Sequence, residues 1–483
     1  MSNTTSCRSG SVHTVPLMIN GNELHSEQTF DVISPSTGLI VHRCSSATLD
    51  HAGDAVRSAA ESYETWRKTR PAQRREIFLK AAEVMELRRE ELLVYIKDEI
   101  SCSNTWGNFN VNTAIDMIRD IAGRIASVQG TFPTTASPDS SSIVFEEPYG
   151  VVLAIAPWNA PYILGIRAIA FPIAAGNTVV FKGSELSPRT AWALGSIFQE
   201  AGLPRGVLNV IFHTQDAAAL TTAALVQNPS VKKISFTGST RVGRIISNLA
   251  AETLKPAVLE LGGKASAIVW QDADLDLAAA QCTQGAFLNA GQVCMATEKI
   301  LVHKAVRAEF EKKLILHANK AFPEQASLTL INQPAADKVQ RLIRDAVSKG
   351  ANILSGLPAA NEPPCLRIKP TILSNVSGIM DIYSVESFGP VVCLLEIESE
   401  EHAVRLANDT EYGLSSAVFT EDLRRGLRFA REIEAGAVHI NGMTIHDESA
   451  LPHGGVKASG YGRFNASQGM AEWTRSKTVT FKN

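Results

Sequence analysis

The middle of the chain alternates short apolar runs with segments of helical length, and this alternation restricts the folds open to it. The apolar runs are VVLAIA (151–156), TVVFK (178–182), VLNVI (207–211) and VKKISFTG (231–238). Helices are predicted between them, at 162–174, 187–201 and 216–227. Runs that are apolar at every position are typical of strands buried on both faces of a parallel sheet. The sequence therefore predicts an α/β fold whose parallel sheet is suited to a dinucleotide.

The flanking segments extend this architecture. Short strands are predicted within 17–45, and they are followed by helices at 48–66, 71–101 and about 108–128. After residue 257 a second α/β pattern is predicted, with strands at 267–270, 299–303, 369–373 and 391–397, and with helices at 274–289, 304–320 and 334–349. The Ser/Thr/Pro-rich stretch 131–142 is typical of a loop or an exposed hairpin. A chain of 483 residues is too long for one core, so two or three domains are expected.

Composition argues against several classes of protein. The net charge is −3, and no clustering of Lys and Arg indicates nucleic-acid binding. The seven cysteines form no CxxC pair or Cys/His cluster, so we expect reduced thiols in the cytoplasm and no metal site. Residues 1–16 lack the apolar core of a secretory signal. The apolar stretch 150–181 contains Asn159, Arg167 and prolines, and no uninterrupted run reaches the ~20 residues of a membrane helix.

Cys294, in the run NAGQVCMATEK, is the strongest candidate for a reactive group. A thiol reacts as the thiolate, so it needs a base or a positive field nearby. Glu260, in ELGGK, offers a carboxylate that serves either as that base or as the group that activates water. Taken alone, a buried structural thiol is the commoner interpretation of such a cysteine.

Asn159, in PWNAP, follows the first buried strand of the central pattern. A carbonyl group attacked by a thiolate develops an oxyanion, which a side-chain amide and a backbone N–H can stabilise together. Asparagine in a proline-flanked turn is the structural alternative.

Two further segments carry weak signals for a dinucleotide. FTGSTRVG (236–243) ends a strand and begins a helix whose N-terminus attracts phosphate, although a plain turn explains it equally well. In FKGSELSP (181–188), Lys182 and Glu185 follow a strand. Glu185 can accept hydrogen bonds from a ribose diol and would repel a 2′-phosphate, which favours NAD over NADP. A surface Lys and Glu beside a helix start is the structural alternative.

Eight motifs in order give the chain a family resemblance. They are PWN, KGSE, FTGST, ELGGK, GQVC, ESFGP, NDTEYGL and HGGVKASGYGR. From about residue 15 to 483, the chain resembles the aldehyde dehydrogenase superfamily. The resemblance implies a Rossmann-like NAD-binding domain (1–128 and 148–260), an α/β catalytic domain (261–455), and a β-hairpin oligomerisation arm with a tail (129–147 and 456–483). It also implies a homodimer or homotetramer in which the arm pairs with a neighbouring subunit's C-terminal strand.

The same resemblance assigns roles to single residues. Cys294 is the implied nucleophile, Asn159 with the Cys294 backbone N–H the oxyanion site, and Glu260 the base for water, with Lys182 also placed in the catalytic set. The implied cofactor-binding residues are Ala156, Pro157, Trp158, Lys182, Ser184, Glu185, Phe236, Thr237, Gly238, Ser239, Val242, Leu261, Glu386 and Phe388.

Two segments depart from the family pattern. His453, in LPHGG, stands where the family usually has phenylalanine, and we expect it to fill the same place at the edge of the core. The loop 212–219 lacks the glycines expected there, which leaves the adenine contacts undefined.

The segment PWNAPYILGIRAIA resembles the branch that oxidises salicylaldehyde and vanillin. Arg167 is costly in so apolar a helix and calls for an anionic or phenolic oxygen partner. Trp106 and Tyr162 are predicted to form an aromatic slot for the substrate. The alternatives are a salt bridge for Arg167 with Trp106 in the core, an aliphatic or semialdehyde dehydrogenase, a thiol esterase, and a catalytically silent scaffold protein.

Overall fold

The computed structural model describes residues 13–322, 328–356 and 366–482. It confirms the predicted α/β class, with two large sheets that are mostly parallel and are flanked by helices. Cys7 and Cys365 lie outside the described residues, as does most of the N-terminal segment considered for a signal.

The eight-stranded sheet contains all four apolar runs of the central pattern. In spatial order its strands are Gly460–Tyr461, Ala257–Glu260, Val231–Thr237, Val151–Ile155, Thr178–Lys182, Leu208–Ile211, Leu17–Ile19 and Asn22–Leu24. The five strands from Ala257–Glu260 to Leu208–Ile211 are parallel. Their register pairs Ile155 with both Lys182 and Phe236, and pairs Thr237 with Glu260. The carboxyl ends of these strands therefore meet at one edge of the sheet.

The seven-stranded sheet is built from the second α/β pattern. Its strands, in spatial order, are Asn352–Ser355, Thr371–Ser374, Val391–Ile397, Thr297–His303, Ala265–Val269, Ser415–Phe419 and Ala437–Ile440. Successive residues of the central strands point alternately into two separate cores, one on each face of the sheet. The sequence pattern places AVLELGG (257–263) at the start of this second unit. In the structure, the strand Ala257–Glu260 instead pairs with Val231–Thr237 in the eight-stranded sheet.

Three small sheets and fifteen α-helices complete the described parts of the chain. The small sheets comprise Thr14–Val15 with Ile40–Ser45 and Thr29–Ile33, Leu328–Thr329 with Arg367–Ile368, and Ser140–Pro148 with Thr474–Lys482. The helices are Leu49–Trp66, Pro71–Leu87, Arg89–Ile100, Asn104–Arg124, Pro161–Ala174, Pro188–Glu200, Ala218–Gln227, Thr240–Glu252, Leu275–Phe287, Arg307–Ala321, Gln333–Ser348, Asp381–Ser384, Glu400–Asn408, Leu423–Glu432 and Ala466–Ala471. Short 3₁₀ turns occupy Ile125–Ser127, Leu288–Gly291 and Lys457–Ser459.

Two predicted helices differ from the observed ones. The helix predicted over 71–101 is interrupted at Arg88, whose backbone leaves helical geometry (φ −92°, ψ 10°). The helix predicted at 108–128 begins earlier, because the Ser103 hydroxyl caps its first turn by accepting from the Trp106 N–H.

The helix Pro161–Ala174 is buried along its whole length. It packs against Asn104–Arg124 on one side and Pro188–Glu200 on another, and it also contacts the eight-stranded sheet. Arg167 lies inside this helix with 1% of its surface exposed. A guanidinium in such a place needs an acceptor within the protein.

The expected pairing of the arm with another subunit's C-terminal strand is wrong. Ser140–Pro148 forms a nine-residue antiparallel pair with Thr474–Lys482 of the same chain. A single antiparallel β-bridge between Thr131 and Val144 completes the hairpin. The C-terminal strand reaches the arm because the chain returns past Trp473, which is fully buried in the core around the eight-stranded sheet, here called the first core.

Within the described residues, every helix is too short or too polar to cross a bilayer. The same residues contain no group of His, Cys, Asp and Glu side chains arranged to hold a metal ion.

Asn177 ties the start of the central sheet to the C-terminal segment. Its side chain accepts from the Gly150 N–H (3.0 Å) and donates to the carbonyls of Pro172 (3.1 Å) and Trp473 (2.9 Å). We predict that Asn177→Ala lowers the free energy of unfolding by about 2–4 kcal/mol, because it leaves these buried backbone groups unpaired. Urea-induced unfolding measures the loss. Asn248→Ala, at an exposed helix position, is the matched control and should change it by less than ~0.5 kcal/mol.

Candidate active site

A cavity of about 310 Å³ opens at the carboxyl edge of the eight-stranded sheet. Open α/β sheets bind ligands at this edge. The cavity is lined by Pro157, Trp158, Asn159, Leu164, Thr237, Gly238, Ser239, Glu260, Leu261, Gly262, Cys294, Ile331, Asn332, Ala335, Lys338, Glu386, Ser387 and Phe388. The thiol, the carboxylate and the amide singled out in the sequence thus share one cavity.

Cys294 lies in a tight connection between the helix Leu275–Phe287 and the strand Thr297–His303. Asn289, Ala290 and Gly291 all have left-handed φ angles, which turn the chain sharply before the cysteine. Gly263 passes so close that a Cβ on it would lie 2.2 Å from the Cys294 carbonyl oxygen. The backbone around the thiol is therefore fixed from both sides.

Glu260 ends its strand with no exposed surface. Neither carboxylate oxygen has a hydrogen-bond partner, and the His453 Nε2 atom lies 3.8 Å from Oε1. Burial opposes ionisation of Glu260. The His453 imidazole, the Arg167 guanidinium and the Cys294 thiol outweigh that effect and hold the pKa of the carboxyl below its usual range.

The pKa of the Cys294 thiol lies well above its usual range. Burial contributes most, and the adjacent Glu260 carboxylate adds to the shift because it opposes a second negative charge beside its own. Arg167 acts in the opposite direction. The thiol and the carboxylate therefore resist being ionised together.

Asn159 is held with its side-chain amide in the cavity. Its Nδ2 donates to the Gln292 carbonyl (3.0 Å), and its own carbonyl accepts from the Trp106 indole (2.9 Å) and from Asn289 (3.2 Å). Gln292 is fixed in turn because its side chain accepts from the Ile331 N–H (2.9 Å). The amide donor and the thiol are thus positioned by the same loop.

Glu386 borders the cavity beside the loop that follows the strand Ala257–Glu260. Its carboxylate accepts from the Gly263 N–H (3.0 Å). Burial and the nearby Glu298 raise the pKa of Glu386 to about 7. Glu298 forms a buried ion pair with Lys264 and accepts from the Ser387 N–H (2.8 Å), which fixes the loop that carries Glu386.

Phe388 follows in this loop with a left-handed φ of 52°, and its ring meets the Trp158 ring edge-on with centroids 6.0 Å apart. The two aromatic rings form an apolar wall on the Glu386 side of the cavity.

The predicted phosphate segment also borders the cavity. Ser239 caps the helix Thr240–Glu252 by accepting from the Val242 N–H (3.4 Å). A Cβ on Gly243 would lie 2.5 Å from the Leu261 side chain, so only glycine lets this helix approach so closely. Thr237, Gly238, Ser239 and Leu261 line the cavity, so a helix N-terminus faces it.

The remaining cofactor candidates lie around this cavity. Glu185 lies in an adjoining groove of about 790 Å³ that also contacts Ile331 and Asn332. Lys182 approaches Glu185 with its Nζ 3.5 Å from the carboxylate, and the Ser184 hydroxyl accepts from the Leu186 N–H (3.2 Å). Ala156 and Phe236 are buried, and the half-buried Val242 packs against the first core.

None of the three residues proposed to contact the substrate lines the cavity. The Tyr162 hydroxyl donates to the Leu92 carbonyl (2.8 Å) in the core, so the expected aromatic slot does not include it. Trp106 supports Asn159 from behind. Arg167 pairs with Asp447 (2.5 Å), the salt bridge considered as its alternative role. The Trp106 and Arg167 side chains therefore hold neighbouring residues in place and do not line the cavity.

Sequence reasoning missed one wall of the cavity and several supporting residues. Ile331, Asn332, Ala335 and Lys338 come from the start of the helix Gln333–Ser348 and carry no motif. Gln292 lies inside the recognised GQVC run, so its proximity to Cys294 was an available signal. Asp447 lies 280 positions from Arg167, and only the fold brings the two together.

The comparisons with known proteins agree with this geometry. The model of the aldehyde dehydrogenase family matches residues 23–479, so the chain belongs to this family. It is 42% identical to a vanillin dehydrogenase of Pseudomonas fluorescens over 97% of this chain and 98% of that one.

Solved structures give the same result. A salicylaldehyde dehydrogenase from Pseudomonas putida G7, complexed with salicylaldehyde, superposes with a TM-score of 0.94 at 36% identity and 98% coverage of both chains. A betaine aldehyde dehydrogenase from Staphylococcus aureus in complex with NAD+ has a TM-score of 0.92 at 29% identity, over 96% of this chain and 94% of that one.

The mutual opposition of Cys294 and Glu260 can be tested without substrate. We predict that Glu260→Gln accelerates alkylation of Cys294 by iodoacetamide at pH 8, because removing the carboxylate charge lowers the thiol pKa and raises the thiolate fraction. Mass spectrometry of the Cys294 peptide measures the rate, with the buried Cys282 as the internal control. Slower alkylation in the variant would contradict this expectation, since it would mean that the carboxylate deprotonates the thiol.

Proposed function

We propose that this enzyme oxidises aromatic aldehydes to carboxylic acids with NAD. The observation that carries the proposal is the placement of Cys294, Glu260 and Asn159 around one cavity at the carboxyl edge of a dinucleotide-type sheet. Membership of the aldehyde dehydrogenase family and the similarity to vanillin and salicylaldehyde dehydrogenases support it.

The residues divide the reaction into two halves. In the first, the Cys294 thiol releases its proton to solvent, the thiolate attacks the aldehyde carbon, and the Asn159 amide with the Cys294 backbone N–H stabilises the oxyanion that forms. The aldehyde C–H bond then breaks with loss of hydride, which leaves a thioester on Cys294. Bound NAD supplies the acceptor for the hydride. In the second half, Glu260 takes a proton from water, the water oxygen bonds to the thioester carbon, and the C–S bond breaks to return the sulfur to Cys294.

The site fits a dinucleotide on structural grounds. A helix N-terminus at Ser239 favours the pyrophosphate, and Gly243 lets that helix lie close to the sheet edge. Glu386 and Phe388 line the same cavity. Glu185, in the adjoining groove, supports this fit because its carboxylate can accept hydrogen bonds from a ribose diol.

Three features support an aromatic substrate. Trp158, Leu164, Ile331 and Phe388 give the cavity apolar walls. Arg167 already has its charge balanced by Asp447, which argues against a semialdehyde whose carboxylate would need that cation. The relatives described above are named as dehydrogenases of vanillin and salicylaldehyde.

The domain assignments, the oligomer and the location belong to the same proposal. We assign cofactor binding to 1–128 and 148–260, catalysis to 261–455, and assembly to 129–147 with 456–483, in a cytoplasmic homodimer or homotetramer. The arm exposes Phe132, Phe145 and Phe481, as expected of a surface that another subunit covers.

A substrate panel tests the activity. With NAD, we predict faster NADH formation from vanillin, salicylaldehyde and benzaldehyde than from acetaldehyde or succinate semialdehyde, by about tenfold or more in kcat/KM, because the apolar walls bind an aromatic ring. Absorbance of NADH measures the rates. Cys294→Ala should abolish turnover of every aldehyde, and an active variant would overturn the mechanism.

The cofactor preference depends on Glu185. We predict that Glu185→Gln lowers the NAD-to-NADP ratio of kcat/KM by about tenfold, because it removes the charge that repels a 2′-phosphate and weakens the acceptor for the ribose diol. Glu27→Gln, which neutralises an exposed surface carboxylate, is the control. An unchanged ratio in the Glu185 variant would remove this residue from cofactor selection.

A further inference from the structure

His453 faces the buried carboxylate with an unpartnered nitrogen. Its Nε2 is buried without a hydrogen-bond partner, as are both oxygens of Glu260, and Nε2 lies 3.8 Å from Oε1. Three buried polar atoms that lack partners and face one another are unusual in a folded protein. The separation is too long for a direct hydrogen bond, but it suits an ion pair or a contact bridged by water.

The ring of His453 is held in this position by the backbone. His453 and Phe464 exchange two hydrogen bonds, His453 N to Phe464 O (2.9 Å) and Phe464 N to His453 O (2.7 Å). The imidazole is therefore presented to Glu260 from a fixed bridge. A phenylalanine in this place would fill the space and offer no polar contact.

Other charged groups also face His453. The carboxylate of Asp447 and the imidazole of His439 interact with it electrostatically. Asp447 is paired with Arg167 and accepts from Asn465 (3.0 Å), so its charge is already balanced. His439 packs against His446, and burial first, then the two neighbouring histidines, lower its pKa to about 4, which leaves it neutral above about pH 5. Glu260 is the carboxylate left for His453.

We propose that His453 is a positioning residue for thioester hydrolysis, which keeps the Glu260 carboxylate ionised and directed at the water that attacks the acyl-enzyme. In that step one water proton passes to Glu260, the water oxygen bonds to the acyl carbon, and the C–S bond pair returns to Cys294. His453 exchanges no atom with the substrate. The inference rests on the proposed aldehyde oxidation and adds a second residue to its hydrolytic half.

The test separates hydrolysis from the earlier steps. In His453→Phe, stopped-flow measurement at pH 6 should show a burst of about one NADH per active site, followed by a steady state slowed about tenfold or more, since Glu260 becomes protonated over more of the acid range. At pH 9 the steady state should stay within about twofold of the unsubstituted enzyme. His453→Gln, which restores a donor, should recover most of the rate at pH 6.

The controls distinguish a failure of the role proposed for His453 from a failure of the proposed function. His439→Phe removes another unpartnered histidine of this cluster and should leave the pH profile unchanged. A full burst with an unchanged steady state in both His453 variants would overturn the role of His453 alone. A uniform loss at all pH values that Gln does not rescue would also overturn it, since it would indicate packing. No NADH from the unsubstituted enzyme with any aldehyde would overturn the proposed function instead.

Discussion

A carboxylate with no exposed surface, placed beside a thiol, is the constraint on which the rest of this site depends. Burying an ionised carboxylate costs several kcal/mol unless other groups compensate it. Glu260 has no direct hydrogen bond, so its compensation is electrostatic and comes from His453 and Arg167. Both side chains are held by elements outside the sheet that carries Glu260, so the charge state of the site depends on how those elements pack against the sheet.

The two sheets give this arrangement its rigidity. The register of the parallel strands brings Thr237 and Glu260 to one edge, and the tight loop before the strand Thr297–His303 brings Cys294 to the same place. The link across the site runs from Arg167, in a fully buried helix, to Asp447 in the loop after the last strand of the seven-stranded sheet. A substituent larger than hydrogen at Gly263 would collide with the Cys294 carbonyl.

The sequence predicted the parts of this structure that depend on local pattern. Runs that are apolar at every position indicated the parallel strands, and Asn159, Glu260 and Cys294 follow such runs or lie in Gly-flanked loops. It did not indicate the strands Ser415–Phe419 and Ala437–Ile440, which are short and are defined by pairing beside Ala265–Val269. The sequence also did not identify contacts between residues that lie far apart in the chain. Arg167 was expected to need an anion, but only the tertiary structure shows that Asp447 is that anion. Likewise, only the tertiary structure shows that the Tyr162 ring packs in the core.

The repulsion between the Cys294 sulfur and the Glu260 carboxylate differs between the two halves of the proposed reaction. While sulfur carries charge, ionised Glu260 destabilises it, and burial increases that repulsion because little water screens it. Once the sulfur has become part of a thioester it is neutral, so the repulsion is gone and the ionised carboxylate is free to accept a proton from water. In the proposed reaction, the Glu260 carboxylate therefore opposes the thiolate in the first half and acts as the base in the second. Glu260 can act as the base in the second half only if a neighbouring group keeps it ionised while the thioester is present. His453 lies in the position to do so.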